Sequence, residues 1–342
     1  MLLMTGSTGR GPTAQIDFFK AVSKLSFVLV IFILIPLRFS LAFSFDAKEY
    51  NPFFILGKNS LFPLRSFPPK VVYYPYGEIT MELNNLEIFL AKIKRGELAV
   101  GCVVSYTDSA VSETIADTDY DFCWIDGEHG EFDRETAMHH IIALRGTSCA
   151  PIYRVPACDH TEIKRIIDFA PAGIIVPMIL SAEEARLAVA ACRYPPEGNR
   201  GCGFRRGIGY GAKFPKDYWE ISKHDPLVIL QIEHIEAYRN LDEILAVPGI
   251  DGCIIGPYDF TASMGKPGQW DDPEVTSVLD DTCARIRKAG ILLGAYAEVG
   301  LDKWIQRGVQ FISIFNDTGA LVDGLRRARQ NVLSLWERNR KA

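Results

Sequence analysis

The chain lacks the cysteine patterns that mark zinc ribbons and thiol redox motifs. All eight cysteines follow residue 100, and none belongs to a C-x-x-C pair. Cys102, Cys123 and Cys253 lie inside apolar runs, where reduced cysteine behaves as a small packing residue. We therefore expect free thiols in a cytoplasmic fold.

The chain also lacks the excess of positive charge that nucleic acid binding requires. It has 37 Lys and Arg residues against 42 Asp and Glu residues, a formal net charge of -5. Residues 1–80 are net positive, so the remainder is more acidic than the whole chain. An acidic main domain argues against a nucleic acid partner.

A prominent apolar run near the N-terminus is short for a membrane span. Residues 25–37 are apolar except for Ser26, and this length fits the core of a signal peptide better than a spanning helix. Residues 46–80 contain five prolines and show no helical or strand period, which indicates a linker. Membrane association is therefore not expected, and export or anchoring through residues 20–45 is the alternative.

These observations predict an N-terminal extension over residues 1–80 and one domain over residues 81–342. Met81 directly precedes an amphipathic helical pattern that begins the domain. Three interpretations of the extension stay open: an unneeded or untranslated extension with Met81 as the true start, a cleaved or anchoring signal, and a structured addition.

After residue 97, short apolar runs alternate with helical patterns. The runs are continuously apolar, as expected of parallel strands covered on both faces. This order favours an α/β fold, a (β/α)8 TIM barrel, over a doubly wound open sheet, which has fewer strands and a switch point. Strands are predicted over 98–105, 121–127, 151–155, 173–179, 226–233, 251–256, 291–297 and 310–315, and helices over 82–96, 109–117, 133–145, 160–170, 181–192, 236–246, 273–289, 300–308 and 319–338.

Polar side chains collect where four of these strands end. In a TIM barrel the carboxyl ends of the strands meet at one rim, where catalytic groups lie. These strand ends deliver Asp126, Glu128, His129, Arg154, Gln231, Glu233 and Asp259.

Two acidic residues on neighbouring strands suggest a metal site. Gln231 and Glu233 are two apart on one strand and share a side of the sheet, and Asp259 follows the next strand. Carboxylates without a nearby thiol suit a hard cation such as Mg²⁺ or Mn²⁺. Loop capping or pairing with basic residues at the rim is the alternative.

The other strand ends combine an imidazole, carboxylates and a guanidinium. Asp126 or Glu128 can fix the tautomer of His129 and raise its basicity, although Asp126 could also cap the turn and leave His129 solvated. Arg154 ends a strand in an apolar context, which requires an anion beside it. That anion is either Glu128 or an oxygen of the substrate.

Two kinds of catalytic group are missing. None of the eight predicted strands contains Lys, so a Schiff-base aldolase has no nucleophile inside the barrel. The stretch 201–207 neither follows a strand nor opens a helix, so its glycines are poor support for a dinucleotide site. We expect it to be a loop at the catalytic rim, with Arg205 or Arg206 contacting an anionic substrate tail.

Six ordered motifs resemble one enzyme family. From about Met81 to the C-terminus, the chain is similar to the 4-hydroxy-2-oxoheptane-1,7-dioate aldolases, metal-dependent class II pyruvate aldolases that also include 2-keto-3-deoxy sugar acid aldolases. The motifs are Ile125-Asp-Gly-Glu-His-Gly130, Tyr153-Arg-Val-Pro156, Ile175-Val-Pro-Met178, Arg193-Tyr-Pro-Pro-Glu-Gly-Asn-Arg-Gly201, Gln231-Ile-Glu233 and Gly256-Pro-Tyr-Asp259.

The resemblance implies a role for each matching position. Glu233 and Asp259 would bind a divalent cation, Mg²⁺, Mn²⁺ or Co²⁺, with Gln231 supporting that shell. Arg154 would face the keto oxygen of pyruvate, and the amides around Tyr258 and Asp259 would receive its carboxylate.

The resemblance also implies a base and a quaternary structure. His129 would be the base, with Asp126 as its candidate partner and Asp168, contributed by an adjacent subunit, as the other. The last helix would be exchanged or would project, and would pack on a neighbouring subunit in a homo-trimer or homo-hexamer.

The implied reaction is reversible retro-aldol cleavage of a 4-hydroxy-2-oxo acid to pyruvate and an aldehyde through a metal-bound pyruvate enolate. The partners would therefore be a small 2-oxo acid and an aldehyde. A related enzyme that decarboxylates oxaloacetate, or that cleaves or forms another carbon–carbon bond, is one alternative. A non-catalytic, membrane-tethered barrel is the other.

Overall fold

The computed structural model of the protein describes residues 28–29, 42–44, 53–55, 61–63, 83–203, 205–211 and 218–341. The chain divides into two compact units, Met1–Ile79 and Thr80–Ala342. Within the described ranges, no helix has the length and apolar character needed to cross a membrane.

The first unit contains a small antiparallel sheet. Its four strands pair in chain order: β1 (Val28–Leu29), β2 (Ala42–Ser44), β3 (Phe53–Ile55) and β4 (Leu61–Pro63). Most of the predicted signal segment and linker lies outside the described residues, so the role of this unit stays a prediction.

The second unit is the predicted (β/α)8 barrel. Its eight parallel strands close in chain order, with the last strand paired to the first. Each predicted strand is confirmed with small shifts at its ends. The strands are β5 (Ala99–Val104), β6 (Phe122–Asp126), β7 (Ala150–Arg154), β8 (Gly173–Val176), β9 (Leu227–Ile232), β10 (Gly252–Ile255), β11 (Leu292–Tyr296) and β12 (Phe311–Asn316).

Helices alternate with the barrel strands, and the predicted ones occur in the predicted order. They are α1 (Leu86–Lys94), α2 (Ala110–Asp117), α3 (Arg134–Ala143), α4 (His160–Ile167), α5 (Ala182–Cys192), α6 (Tyr218–Ile221), α7 (Ile235–Arg239), α8 (Leu241–Leu245), α9 (Pro257–Ser263), α10 (Pro273–Lys288), α11 (Leu301–Arg307) and α12 (Asp317–Lys341). Side chains cap two of these helices: Asp133 accepts from the Thr136 amide, and Ser181 with Glu184 forms a capping box.

Three helix predictions need correction, and the first is that the four-residue helix α6 was not predicted. The single helix expected over 236–246 is two helices, α7 and α8, which meet at Asn240; the Asn240 side chain donates to the carbonyl of Leu180 at 2.8 Å. Helix α9 was not predicted, because its opening Gly-Pro pair favours a turn. Pro257 instead occupies the first turn of the helix, where its missing N–H costs nothing.

Aromatic rings close the end of the barrel at which the strands begin. Phe89 of α1 packs edge-on against Phe122 and Phe311, with ring centroids 5.8 and 6.0 Å away. A Cβ atom at Gly101 or Gly294 would lie 2.3 Å from one of these rings, so both strands need glycine there. Because this end is filled, the opening of the barrel lies at the other end, where the strands finish.

The stretch after α5 does not lie at the catalytic rim, so the predicted contact of Arg206 with a substrate tail is wrong; that of Arg205, which does not line the cavity of its own barrel, stays a prediction. The Arg206 guanidinium is buried and donates to the carbonyls of Phe169, at 2.7 Å, and Leu83, at 2.9 Å. Phe169 lies in the connection that leads into β8, which begins at Gly173. The physical reason is topological: a connection from a helix to the next strand lies at the amino ends of the strands.

The C-terminal helix α12 projects from the barrel, as predicted. Along its length it exposes large apolar side chains, among them Leu325, 63% exposed, Val332, 65%, and Trp336, 58%. Exposed apolar surface of this kind usually marks a contact with another molecule.

Candidate active site

A cavity of about 420 Å³ opens at the carboxyl ends of the barrel strands. All but one of the residues predicted for the site from the strand-end pattern line it. These are Asp126, His129, Arg154, Gln231, Glu233 and Asp259, joined by Tyr258. Glu128 is held beside them through Arg154.

Arg154 is the centre of one half of the cavity. The register of β6 and β7 places Arg154 directly opposite Asp126, and Nε and Nη2 donate to the two carboxylate oxygens at 2.8 and 2.6 Å. Nη1 lies 2.7 Å from a carboxylate oxygen of Glu128 and 3.4 Å from Oε1 of Gln231. The guanidinium carbon lies 5.0 Å from the ring centroid of Trp124. These contacts fix the plane of the guanidinium at the floor of the cavity.

Asp126 also organises the turn that carries the candidate base. Its Oδ1 accepts from the backbone N–H groups of Glu128, at 3.1 Å, and His129, at 3.3 Å. Gly127 is required in this turn, because a Cβ there would lie 2.2 Å from the Tyr153 hydroxyl. Asp126 therefore contacts the backbone of His129, while the exposed His129 side chain lines the cavity.

Glu233 is a buried carboxylate in the other half. Its Oε1 accepts from the Met178 amide at 2.9 Å, and its Oε2 accepts from Nε2 of Gln231. Met178 has a φ of 52°, which turns its backbone out of the extended path of β8. A Cβ on Gly256 would lie 2.5 Å from Oε2, so glycine there leaves room for the carboxylate.

The carboxylates of the site interact electrostatically. Burial, with smaller contributions from the charges of Glu128 and Asp259, raises the pKa of Glu233 to about 7, against the lowering effect of its two hydrogen bonds. Burial also raises the pKa of Glu128, against the opposing charge of Arg154. The site thus concentrates negative charge that Arg154 alone does not balance.

This donor set fits a divalent cation that keeps open positions. In the part of the chain that the structure describes, no cluster of three or more His, Cys, Asp or Glu side chains forms a complete metal cage. Arg154 already pairs with Asp126 and Glu128. Glu233 and Asp259 are therefore carboxylates of the cavity that are not paired with Arg154. Two carboxylates suit Mg²⁺ or Mn²⁺, whose remaining ligands come from water and substrate.

Tyr258 and Asp259 lie in the first turn of α9, at the mouth of the cavity. The Tyr258 ring is about half exposed and packs edge-on against Trp270, with centroids 4.8 Å apart. First-turn amides of a helix lack partners within the helix, so they can receive an anion at its start.

Asp168 is the predicted site residue that the chain does not bring into its own cavity. It follows α4, near the start of β8, and burial raises its pKa against the charges of Arg200, Arg134 and Arg205. Its predicted role toward His129 of an adjacent subunit stays a prediction.

Several lining residues were missed by the sequence analysis. Ser105, Tyr296, Asn316 and Thr318 line the cavity, as does Trp124. Trp124 could have been found by period, because it lies two residues before Asp126 and shares its side of β6. The others lie at or just after strand ends, but neutral side chains there carry no charge signal.

A parallel barrel that gathers acidic side chains and a buried guanidinium at the carboxyl ends of its strands is built as an enzyme. Comparison with known proteins defines the family. The profile of the HpcH/HpaI aldolase/citrate lyase family matches residues 100–323. The chain belongs to this family of carbon–carbon lyases.

Individual relatives cover most of the barrel. The hydroxypyruvate/pyruvate aldolase of Roseobacter denitrificans is 33% identical over 240 residues, which are 70% of this chain and 94% of that protein. The 4-hydroxy-2-oxo-heptane-1,7-dioate aldolase of Klebsiella pneumoniae is 34% identical over 244 residues, 71% of this chain and 91% of that protein. The crystal structure of a family member from Burkholderia cenocepacia superposes with a TM-score of 0.66 at 27% identity, covering 71% of this chain and 97% of that one.

Proposed function

We propose that this protein is a divalent-metal-dependent pyruvate aldolase that cleaves a 4-hydroxy-2-oxo acid reversibly to pyruvate and an aldehyde. One observation carries the proposal: a buried guanidinium held by two carboxylates and a separate pair of acidic residues line the same small cavity. The aldolases among its relatives support the same reaction class.

Arg154 stabilises the charge that develops on the oxygen at C2 of the 2-oxo acid. When the bond between C3 and C4 breaks, its electron pair forms an enolate, and the negative charge moves to this oxygen. Arg154 is held rigid by Asp126 and Glu128, so it needs no reorganisation when that charge appears.

Glu233 and Asp259 would hold the divalent cation, Mg²⁺, Mn²⁺ or Co²⁺, and Gln231 orients Glu233 through its side-chain amide. Such a cation, when bound, supplies Lewis-acid stabilisation of the enolate charge. The amides at the start of α9, near Tyr258 and Asp259, receive the carboxylate of the 2-oxo acid.

His129 accepts the proton of the 4-hydroxyl group as the aldehyde leaves, and returns it in the aldol direction. Asp126 positions His129 through the backbone of the turn. Asp168 of a neighbouring copy is the proposed second partner of His129.

The proposal is tested by coupling pyruvate release to lactate dehydrogenase while a 4-hydroxy-2-oxo acid is supplied. Activity should disappear in EDTA and return with Mn²⁺. Glu233→Gln should lower kcat/KM by about 10² to 10³-fold. Glu243→Gln, the same change at an exposed position of α8, is the matched control and should change nothing. Full activity of the Glu233 variant in chelated buffer would contradict the assignment.

The working protein is proposed to be a cytoplasmic homo-trimer or homo-hexamer. The apolar residues that α12 exposes would be covered by a second copy, which gives the projecting helix a partner. Light scattering coupled to size-exclusion chromatography should give three or six times the chain mass, and a monomer would contradict this. Cell fractionation with sequencing of the mature N-terminus tests the location and the extension.

A further inference from the structure

The half of the cavity away from Glu233 is lined by uncharged polar side chains. Ser105 follows β5, Tyr296 and Asn316 end β11 and β12, and Thr318 follows β12. These four residues are referred to below as the neutral wall. If the 2-oxo acid occupies the half with Arg154 and the acidic pair, the aldehyde portion of the substrate faces this wall.

Asp317 takes up the hydroxyl donors on one side of the neutral wall. The Ser105 hydroxyl donates to Oδ1 of Asp317 at 2.6 Å, and the Thr318 hydroxyl lies 3.4 Å from the same oxygen. The other oxygen accepts from the backbone N–H groups of Ser105, at 2.8 Å, and Tyr106, at 2.9 Å. The two hydroxyl oxygens also lie 3.2 Å apart, so one can accept from the other, and each keeps at least one free lone pair.

Glu298 takes up the donors on the other side. The Tyr296 hydroxyl donates to Oε1 of Glu298. The Asn316 amide nitrogen lies 3.3 Å from that same oxygen and 3.3 Å from the Tyr296 hydroxyl oxygen. Glu298 is itself exposed at the edge of the wall, where it adds a negative charge.

The neutral wall therefore offers acceptors to a ligand and few donors. A substrate hydroxyl is a donor and matches the free lone pairs of the Ser105, Thr318 and Tyr296 hydroxyls, whereas a carboxylate or phosphate accepts only and finds these three hydroxyl donors already used. Among the described residues that line the cavity, Arg154 is the sole Lys or Arg, and it is paired with Asp126 and Glu128. An anionic aldehyde would leave its charge uncompensated beside Glu298.

We propose that the aldehyde partner is a short, uncharged hydroxyaldehyde, and that Tyr296, Asn316 and Glu298 select it against aldehydes that carry a carboxylate or phosphate. This inference rests on the proposed aldolase function and specifies the substrate class of that site. The three residues act on the non-reacting end of the aldehyde, which makes them specificity determinants.

The test is aldol addition of pyruvate to three aldehydes with the same carbon chain, in the presence of Mn²⁺. Glyceraldehyde carries hydroxyls, propionaldehyde has none, and glyceraldehyde 3-phosphate adds an anion. Glyceraldehyde should exceed each of the others in kcat/KM by about tenfold. A preference for the phosphate ester or for propionaldehyde would overturn the inference.

Charge variants locate the selectivity. Glu298→Arg should raise the kcat/KM ratio of glyceraldehyde 3-phosphate to glyceraldehyde by about tenfold, and Glu298→Gln by about threefold. Glu243→Arg makes the same charge change on α8, away from the cavity, and should leave the ratio unaltered. An equal shift in the control, or no shift in either Glu298 variant, would contradict a local role of Glu298.

A separate measurement distinguishes failure of the proposed aldolase function from failure of the inference about the aldehyde. Exchange of the pyruvate methyl protons in D2O, followed by NMR, reports enolate formation without any aldehyde. Metal-dependent exchange combined with a preference for an anionic or unsubstituted aldehyde overturns the inference alone. Absence of both exchange and addition overturns the aldolase function itself.

Discussion

Replacing Arg154 by Met should destabilise the barrel far more than the same substitution at Arg285, an arginine whose carboxylate partner is exposed. The Arg154 side chain is 8% exposed, and those of its partners Asp126 and Glu128 are 6% and 22% exposed. Arg285 makes a similar ion pair, at 2.8 Å, but its partner Asp242 is 84% exposed. Without the Arg154 guanidinium, the Asp126 and Glu128 carboxylates lose their cationic partner, which costs about 3–5 kcal/mol. The exposed pair is worth about 0–1 kcal/mol.

The measurement is the free energy of unfolding of both Met variants from urea titrations at neutral pH, with the linear slope checked for two-state behaviour. Arg→Met removes the charge and roughly keeps the volume, so the difference in the free energy of unfolding between the two variants reports the cost of leaving Asp126 and Glu128 without a cation. The Arg154 variant should also lose aldol cleavage by about 10² to 10³-fold, since it removes the preorganised donor. Equal destabilisation by Arg154→Met and Arg285→Met would refute this account of the site.

Three further predictions concern the barrel. Gly256→Ala should lower kcat/KM by about tenfold, because the new Cβ would lie 2.5 Å from Oε2 of Glu233, the residue after β9. Gly324→Ala in α12 places a Cβ with nothing within 4 Å of it in the chain and should stabilise by about 0.5–1 kcal/mol. Kinetics and urea unfolding test the pair. Phe89→Ala should cost about 3–5 kcal/mol by urea unfolding, because it opens a void at the closed end, and a loss below about 1 kcal/mol would contradict that packing. Iodoacetamide should label exposed Cys202 before Cys253, whose burial raises the pKa of its thiol to about 12, as read by peptide mass spectrometry; equal labelling would show that the barrel opens.

The barrel could be predicted because its strands are buried on both faces. A run such as Phe122-Cys-Trp-Ile is apolar at every position, and this pattern reports the covered parallel sheet directly. The charged site residues followed from the same reasoning, since a strand end that carries Asp126 or Arg154 has few structural uses for the charge. Both predictions depend on local sequence and on the rule that strand ends meet at one rim.

The remaining features depend on contacts that local sequence does not record. The segment containing Arg206 connects a helix to the next strand, so it lies at the amino ends of the strands. Its glycines suggested a loop at the catalytic rim instead. The hydrogen bond from the Met178 amide to Glu233 requires the backbone of β8 to turn at a positive φ. The neutral wall was missed because the local sequence does not show that the Tyr296 hydroxyl and the Asn316 amide donate to Glu298.

Asp317 links the C-terminal helix α12 to the turn that follows β5. It is the first residue of the long C-terminal helix, and its carboxylate also anchors the turn after β5 on the opposite side of the closing seam of the barrel. A tilt of this helix would therefore move the hydroxyl groups of Ser105 and Thr318, which line the cavity. Shortening the helix should alter which aldehydes are accepted before it affects how pyruvate is held, so the two halves of the substrate report on different parts of the chain.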